Sequence, residues 1–157
     1  MKMHAIAVTL ALGVLVITPA LSQSPAGAAK SAPLVHAAEA ATGKPTAAQY
    51  GAGESTYKAA CLACHQANGK GLPGAFPPLA GSDYLLKDKV RAITTVLHGK
   101  TGPIVVNNQK FDSVMPPMQQ PSDVEIANVL TYVSNAWGNK GWLVSATDVK
   151  AARAGKR

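Results

Sequence analysis

Cys61-Leu62-Ala63-Cys64-His65 decides the reading of this chain, because it contains the only two cysteines in 157 residues. Two thiols three positions apart on a helical turn can both reach the vinyl-derived carbons on one side of a porphyrin. The residue that follows then places an imidazole beneath the iron, and this pentad is the attachment signature of c-type haem. Other uses of a CxxC pair fit less well. A disulfide would close a loop too short to restrict the unfolded chain by much. A thioredoxin-like redox pair needs a βαβ setting, whereas Gly53 to Ala60, just upstream, looks helical. A zinc site would have to draw its remaining ligands from scattered histidines, with no second CxxC and no HxxxH. One covalent haem c is the expected cofactor, attached at Cys61 and Cys64 with its iron bound by His65.

Upstream of the pentad, Lys2 and His4 precede an apolar run from Ala5 to Ile17, followed by Pro19 and Ala20-Leu21-Ser22. A positive end, a short apolar core and small residues before the cut read as a secretory signal over residues 1–22. An uncleaved membrane anchor is the alternative, although the run is marginal against the roughly 20 residues that a span needs. Export to the periplasm also suits the chemistry, since attachment of this kind of haem requires it. Residues 23–50 are mostly Ala, Pro, Ser, Thr and Gly and offer little to bury, so they read as a flexible spacer. Residues 51–138 then form the compact domain, and 139–157 a basic C-terminal extension. A domain this small needs a staple, which a covalently held haem supplies.

Within the domain, a first helix near residues 51 to 62 carries the pentad. Its Gly53 leaves room for another helix to cross closely, and Tyr57 packs one turn on. Gly69 to Gly81, rich in Gly and Pro and holding Phe76, suits an irregular loop lying against a flat ring. Residues 86 to 98 look helical, with Val90, Ile93 and Leu97 on one side. Ile104-Val105-Val106, Asn107-Asn108 and Lys110-Phe111 read as a short β-hairpin. The last helix of the domain starts at the capping box Ser122-Asp123-Val124-Glu125, places Ile126, Leu130, Val133 and Trp137 on one face, and stops at Gly138. Ser145 caps a short basic helix reaching Arg153.

The second axial position has several candidates. Met115 and Met118, in Val114-Met115-Pro116-Pro117-Met118, offer soft neutral thioethers that favour reduced iron. Either can equally fill a gap in the core. His98 closes a predicted helix, where a histidine more often complements the helix dipole, and His36 lies in the spacer.

Gly53-Glu54-Ser55-Thr56-Tyr57, the pentad, Pro78-Leu79-Ala80-Gly81, Met115-Pro116-Pro117 and Leu130-Thr131-Tyr132-Val133 together resemble the class I cytochromes c, over residues 51 to 138. The resemblance implies an all-α fold whose terminal helices cross around one covalent haem, here with a small β-hairpin insertion. It implies Met115 as the sixth ligand, with Met118 next. It also implies that the Pro78 carbonyl accepts a hydrogen bond from the free ring nitrogen of His65, with Pro77 as the alternative. Trp137 to Arg157 is similar to the tail of cytochrome domains fused to copper nitrite reductases.

Iron with both axial positions filled by protein has no open place for a substrate, and no triad, carboxylate pair or phosphate loop suggests catalysis. The expected role is electron transfer, as a mobile carrier or the cytochrome subunit of a redox enzyme, not as an enzyme itself. The partner is a redox protein, with a nitrite reductase or terminal oxidase named first. A ligand sensor or small peroxidase-like enzyme is the alternative, and would need the methionine bond absent or easily displaced. The formal charge of +7 suits an acidic partner. Export and the lack of aromatic residues interleaved with the basic ones argue against nucleic acid. Lys70, Lys87, Lys89 and Lys100 are candidates for a charged rim around the haem edge. Lys150, Arg153, Lys156 and Arg157 serve equally as a solvated tail.

Overall fold

The computed structural model describes residues 43–155. The signal read in residues 1–22, most of the 23–50 spacer with His36, and Lys156 and Arg157 lie outside the described residues. Helix α1 (Ala47–Ala60) starts where the Thr46 hydroxyl accepts the Gln49 backbone N–H at 3.1 Å. It therefore begins a turn earlier than Gly51, and the 23–50 stretch enters the helix at its end. Cys61 caps α1 and also opens α2 (Leu62–His65), the single turn that carries the rest of the pentad.

The segment expected as one helix over 86–98 is two. Helix α3 (Asp83–Leu86) ends at Lys87, and α4 (Lys89–His98) restarts under a new cap, the Asp88 side chain accepting the Arg91 N–H at 2.9 Å. Ile93 and Leu97 are buried as expected, but Val90 falls on the outer side and is 48 % exposed. Strands β1 (Ile104–Val106) and β2 (Gln109–Phe111) pair antiparallel across Asn107 and Asn108, both at positive φ as a tight two-residue turn requires.

Helix α5 (Asp123–Asn135) opens with the anticipated capping box: the Ser122 hydroxyl accepts the Glu125 N–H, and the Glu125 carboxylate accepts the Ser122 N–H. It is buried without interruption from Ile126 to Ser134 rather than along one stripe. The reason is α6 (Ala146–Arg153), which packs on the side of α5 that α1 leaves free. Trp137 lies beyond the end of α5, at φ 54°, and packs edge-on to Tyr57 with centroids 5.1 Å apart.

The terminal helices of the domain, α1 and α5, cross at Gly53. A Cβ added there would lie 2.2 Å from the Asn128 carbonyl oxygen and 2.7 Å from the Tyr132 Cβ. Residues past 138 belong to the same core. Val144 and Val149 are completely buried, and the Thr131 hydroxyl accepts the Val144 N–H at 2.9 Å. Arg153 ties α6 back to the segment before α5, donating to the Asp123 carboxylate and the Pro121 carbonyl, both at 2.6 Å. The Val149→Ala protein should therefore lose about 2 kcal/mol of stability, the cost of removing two buried methyl groups. An unchanged denaturation midpoint would mean that α6 frays in solution.

Candidate functional site

The bend from α1 into α2 brings the pentad together. The His65 N–H donates to the Cys61 carbonyl at 2.9 Å, continuing the helical path for one more turn. Gln66, at φ 62°, then breaks it, and the buried Tyr57 hydroxyl holds the break by donating to the Gln66 carbonyl at 2.6 Å. Burial, with smaller contributions from Cys61 and Tyr132, pushes the Tyr57 phenol well above its usual range, so it stays a neutral donor. Burial, reinforced by Cys64, likewise pushes the Cys61 thiol up to about 11. It is no ready thiolate for disulfide exchange. Among the described residues, no three His, Cys, Asp or Glu side chains converge on a common metal position.

His65 Nδ1 lies 3.0 Å from the Pro77 carbonyl oxygen. A carbonyl can only accept, so Nδ1 carries the proton and the lone pair sits on Nε2. Burial lowers the imidazole's proton affinity, and the Pro77 bond opposes this only in part, so the ring is neutral. The carbonyl implied by the family resemblance was that of Pro78. The one within reach is its neighbour, because the loop doubles back through Leu72 and Phe76, which exchange backbone hydrogen bonds of 2.9 and 2.8 Å. That closure sets the residue after Phe76, not the next one, against the imidazole. Pro78 still lines the cleft described next.

His65, Cys61 and Cys64 open onto a largely apolar cleft enclosing about 1150 Å3 of empty space, part of it open to solvent. The hairpin forms one wall in a regular way. Ile104 pairs with Phe111, and Lys100 bridges Met115 in the same register, through reciprocal backbone hydrogen bonds of 2.9 Å. Successive side chains on extended backbone alternate between faces. Lys100, Gly102, Ile104 and Val106 on one arm, and Phe111, Ser113 and Met115 on the other, accordingly all line the cleft. Gly99 (φ 74°) permits the approach at the base, since a Cβ there would lie 2.5 Å from the Met115 carbonyl oxygen. Met118 also borders the cleft, but its backbone is fixed to the Val96 carbonyl at 2.8 Å and its side chain packs on the helical core. His98 is exposed and does not line the cleft.

A family model for cytochrome c matches residues 50–137. The chain belongs to the cytochrome c family. Cytochrome c-552 of Thermus thermophilus is 44 % identical over 107 residues, which cover 62 % of this chain and 82 % of that protein. The cytochrome c subunit of the quinone alcohol dehydrogenase of Gluconacetobacter polyoxogenes is 32 % identical over 105 residues. The fructose dehydrogenase cytochrome subunit of Gluconobacter japonicus is 32 % identical over 112. These stretches cover 64 % and 66 % of this chain, but only 22 % of either subunit. This cytochrome, like its family, carries one covalent haem c and transfers electrons to and from a redox partner rather than catalysing a reaction of its own.

The residues present fit that cofactor. Two thiols and a neutral imidazole with its free nitrogen available border a cleft with largely apolar walls that also holds a thioether. The lysines expected at its rim are dispersed. Lys100 lines the cleft, Lys70 is exposed, Lys87 pairs with Asp83 at 3.4 Å, and Lys89 pairs with Asp148 at 3.1 Å. The sequence reading did not anticipate Val114, which borders the cleft while 67 % exposed. Alternation along the arm places it on the face opposite to Met115, so no period-2 signal pointed to it. Among the described residues, no helix is long and apolar enough to cross a membrane.

Proposed function

We propose that this cytochrome is an exported, periplasmic electron carrier whose haem is bound by thioethers from Cys61 and Cys64 and ligated by His65 and Met115. The observation that carries this reading is the shared cleft. His65, with Nδ1 committed to Pro77, and Met115, on the cleft-facing row of the hairpin, both border it. A neutral imidazole strengthened by a carbonyl partner donates well to iron. A thioether stabilises the reduced state, and together they keep ligation nearly constant as the oxidation state changes. Export would proceed through the signal in residues 1–22.

The relatives named as dehydrogenase cytochrome subunits support a partner that is itself a redox enzyme. A nitrite reductase is favoured by the tail after Trp137, with a terminal oxidase as the other destination. With Lys87 and Lys89 ion-paired and Val114 exposed at the cleft, docking combines Lys100 with an apolar rim. Such small transient contacts owe part of their rate to charge steering. The test is the optical spectrum of the exported protein, oxidised and then reduced. A c-type α-band on reduction, a sulfur-to-iron charge-transfer band on oxidation and little carbon monoxide binding when reduced are expected. Ready carbon monoxide binding without the sulfur band would replace the carrier with a sensor or peroxidase-like protein.

A further inference from the structure

We propose that Asp83 and Asn107 form a latch that positions Met115, setting how readily the sixth ligand leaves. The proposal rests on Met115 being that ligand. The hairpin is a lever with two fixed ends. Its base is the Lys100–Met115 bridge, in register with the Ile104–Phe111 pair. Its tip is Asn107-Asn108, and there the Asn107 N–H donates to the Asp83 carboxylate at 2.8 Å, while the Asp83 N–H donates to the Asn107 side-chain oxygen at 3.0 Å. Asp83 is the first residue of α3, directly after the buried Ser82, whose hydroxyl caps that helix. The tip is thus bonded to the other side of the cleft mouth, where Ser82 and Tyr84 also line the cavity.

Two strands of three residues are not stable by themselves. Val106 and Phe111 hold this hairpin from inside, at 1 % and 3 % exposure, and the latch is what its tip gains beyond them. One of the two bonds is charge-assisted, and the Asn107 bond is the leading cause that holds the Asp83 carboxyl below its usual range. Releasing the tip lets the arms swing from the base, and the residue at the base on the cleft-facing row is Met115. Asp83 and Asn107 do not line the cleft. They are positioning residues.

The test is imidazole titration of the oxidised holoprotein, followed by loss of the sulfur-to-iron band, with amide exchange at Lys100 and Met115 measured alongside. Asp83→Ala, which removes the charge-assisted bond, should bind imidazole about tenfold more tightly, and Asn107→Gly, which removes the neutral bond and keeps the Asn107 N–H, roughly threefold more tightly. Glycine keeps the left-handed turn, so Asn107→Gly removes the side-chain acceptor without disturbing the backbone. Asp83→Asn retains an acceptor without the charge and should tighten imidazole binding less than Asp83→Ala does. Thr46→Ala, which removes the α1 cap far from the hairpin, controls for general loosening and should leave imidazole affinity unchanged. Unchanged affinity in both latch variants, or an equal rise in Thr46→Ala, overturns the proposal. If the parent lacks the sulfur band, the Met115 reading fails. The latch is then judged on amide exchange alone, which should be faster at Lys100 and Met115 in both latch variants and unchanged in Thr46→Ala.

Discussion

The Met115→Ala holoprotein is expected to lose its sulfur-to-iron charge-transfer band and to have a reduction potential lower by on the order of 0.2 V, while Met118→Ala keeps both. Both methionines border the cleft, so proximity does not separate them. Backbone placement does. Met115 sits on a cleft-facing row set by hairpin register, and its side chain is outside the helical core cluster. Met118 packs against that cluster, and its N–H is committed to the Val96 carbonyl. A thioether lowers the cost of the reduced state. Its replacement by water or hydroxide favours the oxidised one, hence the sign of the shift. Met118→Ala should instead cost about 1–2 kcal/mol of stability, less than a fully buried methionine, because the side chain is only half-buried. Loss of the band in Met118→Ala with retention in Met115→Ala would exchange the two roles. Retention of the band in both would mean that either methionine can supply the sulfur, whereas its absence from the parent would remove methionine ligation altogether.

What the sequence made legible follows from how local each signal is. The pentad, the Ser122–Glu125 box and the Asn107-Asn108 turn are each complete within a few residues, and each appears where the sequence placed it. Val90 looked like part of the stripe with Ile93 and Leu97, but it stands in the first turn of α4 and is left half-exposed there, which the helical period alone does not encode. The choice between Pro77 and Pro78 depends on how the Leu72–Phe76 closure aims two adjacent carbonyls, and composition does not encode that. The extension looked like a charged tail because its large apolar residues are few, Trp142, Leu143, Val144 and Val149, and the burial of the two valines depends on a side of α5 that a single stripe did not reveal. The hairpin read only as an insertion because its pairing to Lys100 and Met115 skips three residues on each arm, so no contiguous pattern connects it to the ligand.

Gly53→Ala is expected to destabilise the protein by about 3 kcal/mol or more, although the position is helical and alanine is the better helix former. Propensity alone predicts the opposite sign, a gain of up to about 1 kcal/mol. Geometry decides the matter. The added carbon would meet the Asn128 carbonyl oxygen at 2.2 Å and the Tyr132 Cβ at 2.7 Å. Both belong to the buried run of α5, and a carbonyl oxygen fixed in a helix has no rotamer by which to withdraw. The helices must separate, and the separation passes directly to Tyr57, whose ring lies 5.6 Å from Tyr132 and 5.1 Å from Trp137. Tyr57 in turn holds the end of the pentad through the Gln66 carbonyl. A helix-crossing defect at Gly53 should therefore also lower the yield of haem-loaded protein, beyond what the drop in denaturation midpoint accounts for. Glu54→Ala is the control: it removes only the solvent-facing pair with Lys58 at 2.7 Å and should change the midpoint little. A Gly53→Ala protein as stable as the parent would mean that α1 and α5 do not pack backbone to backbone, and that this crossing does not set the position of the pentad.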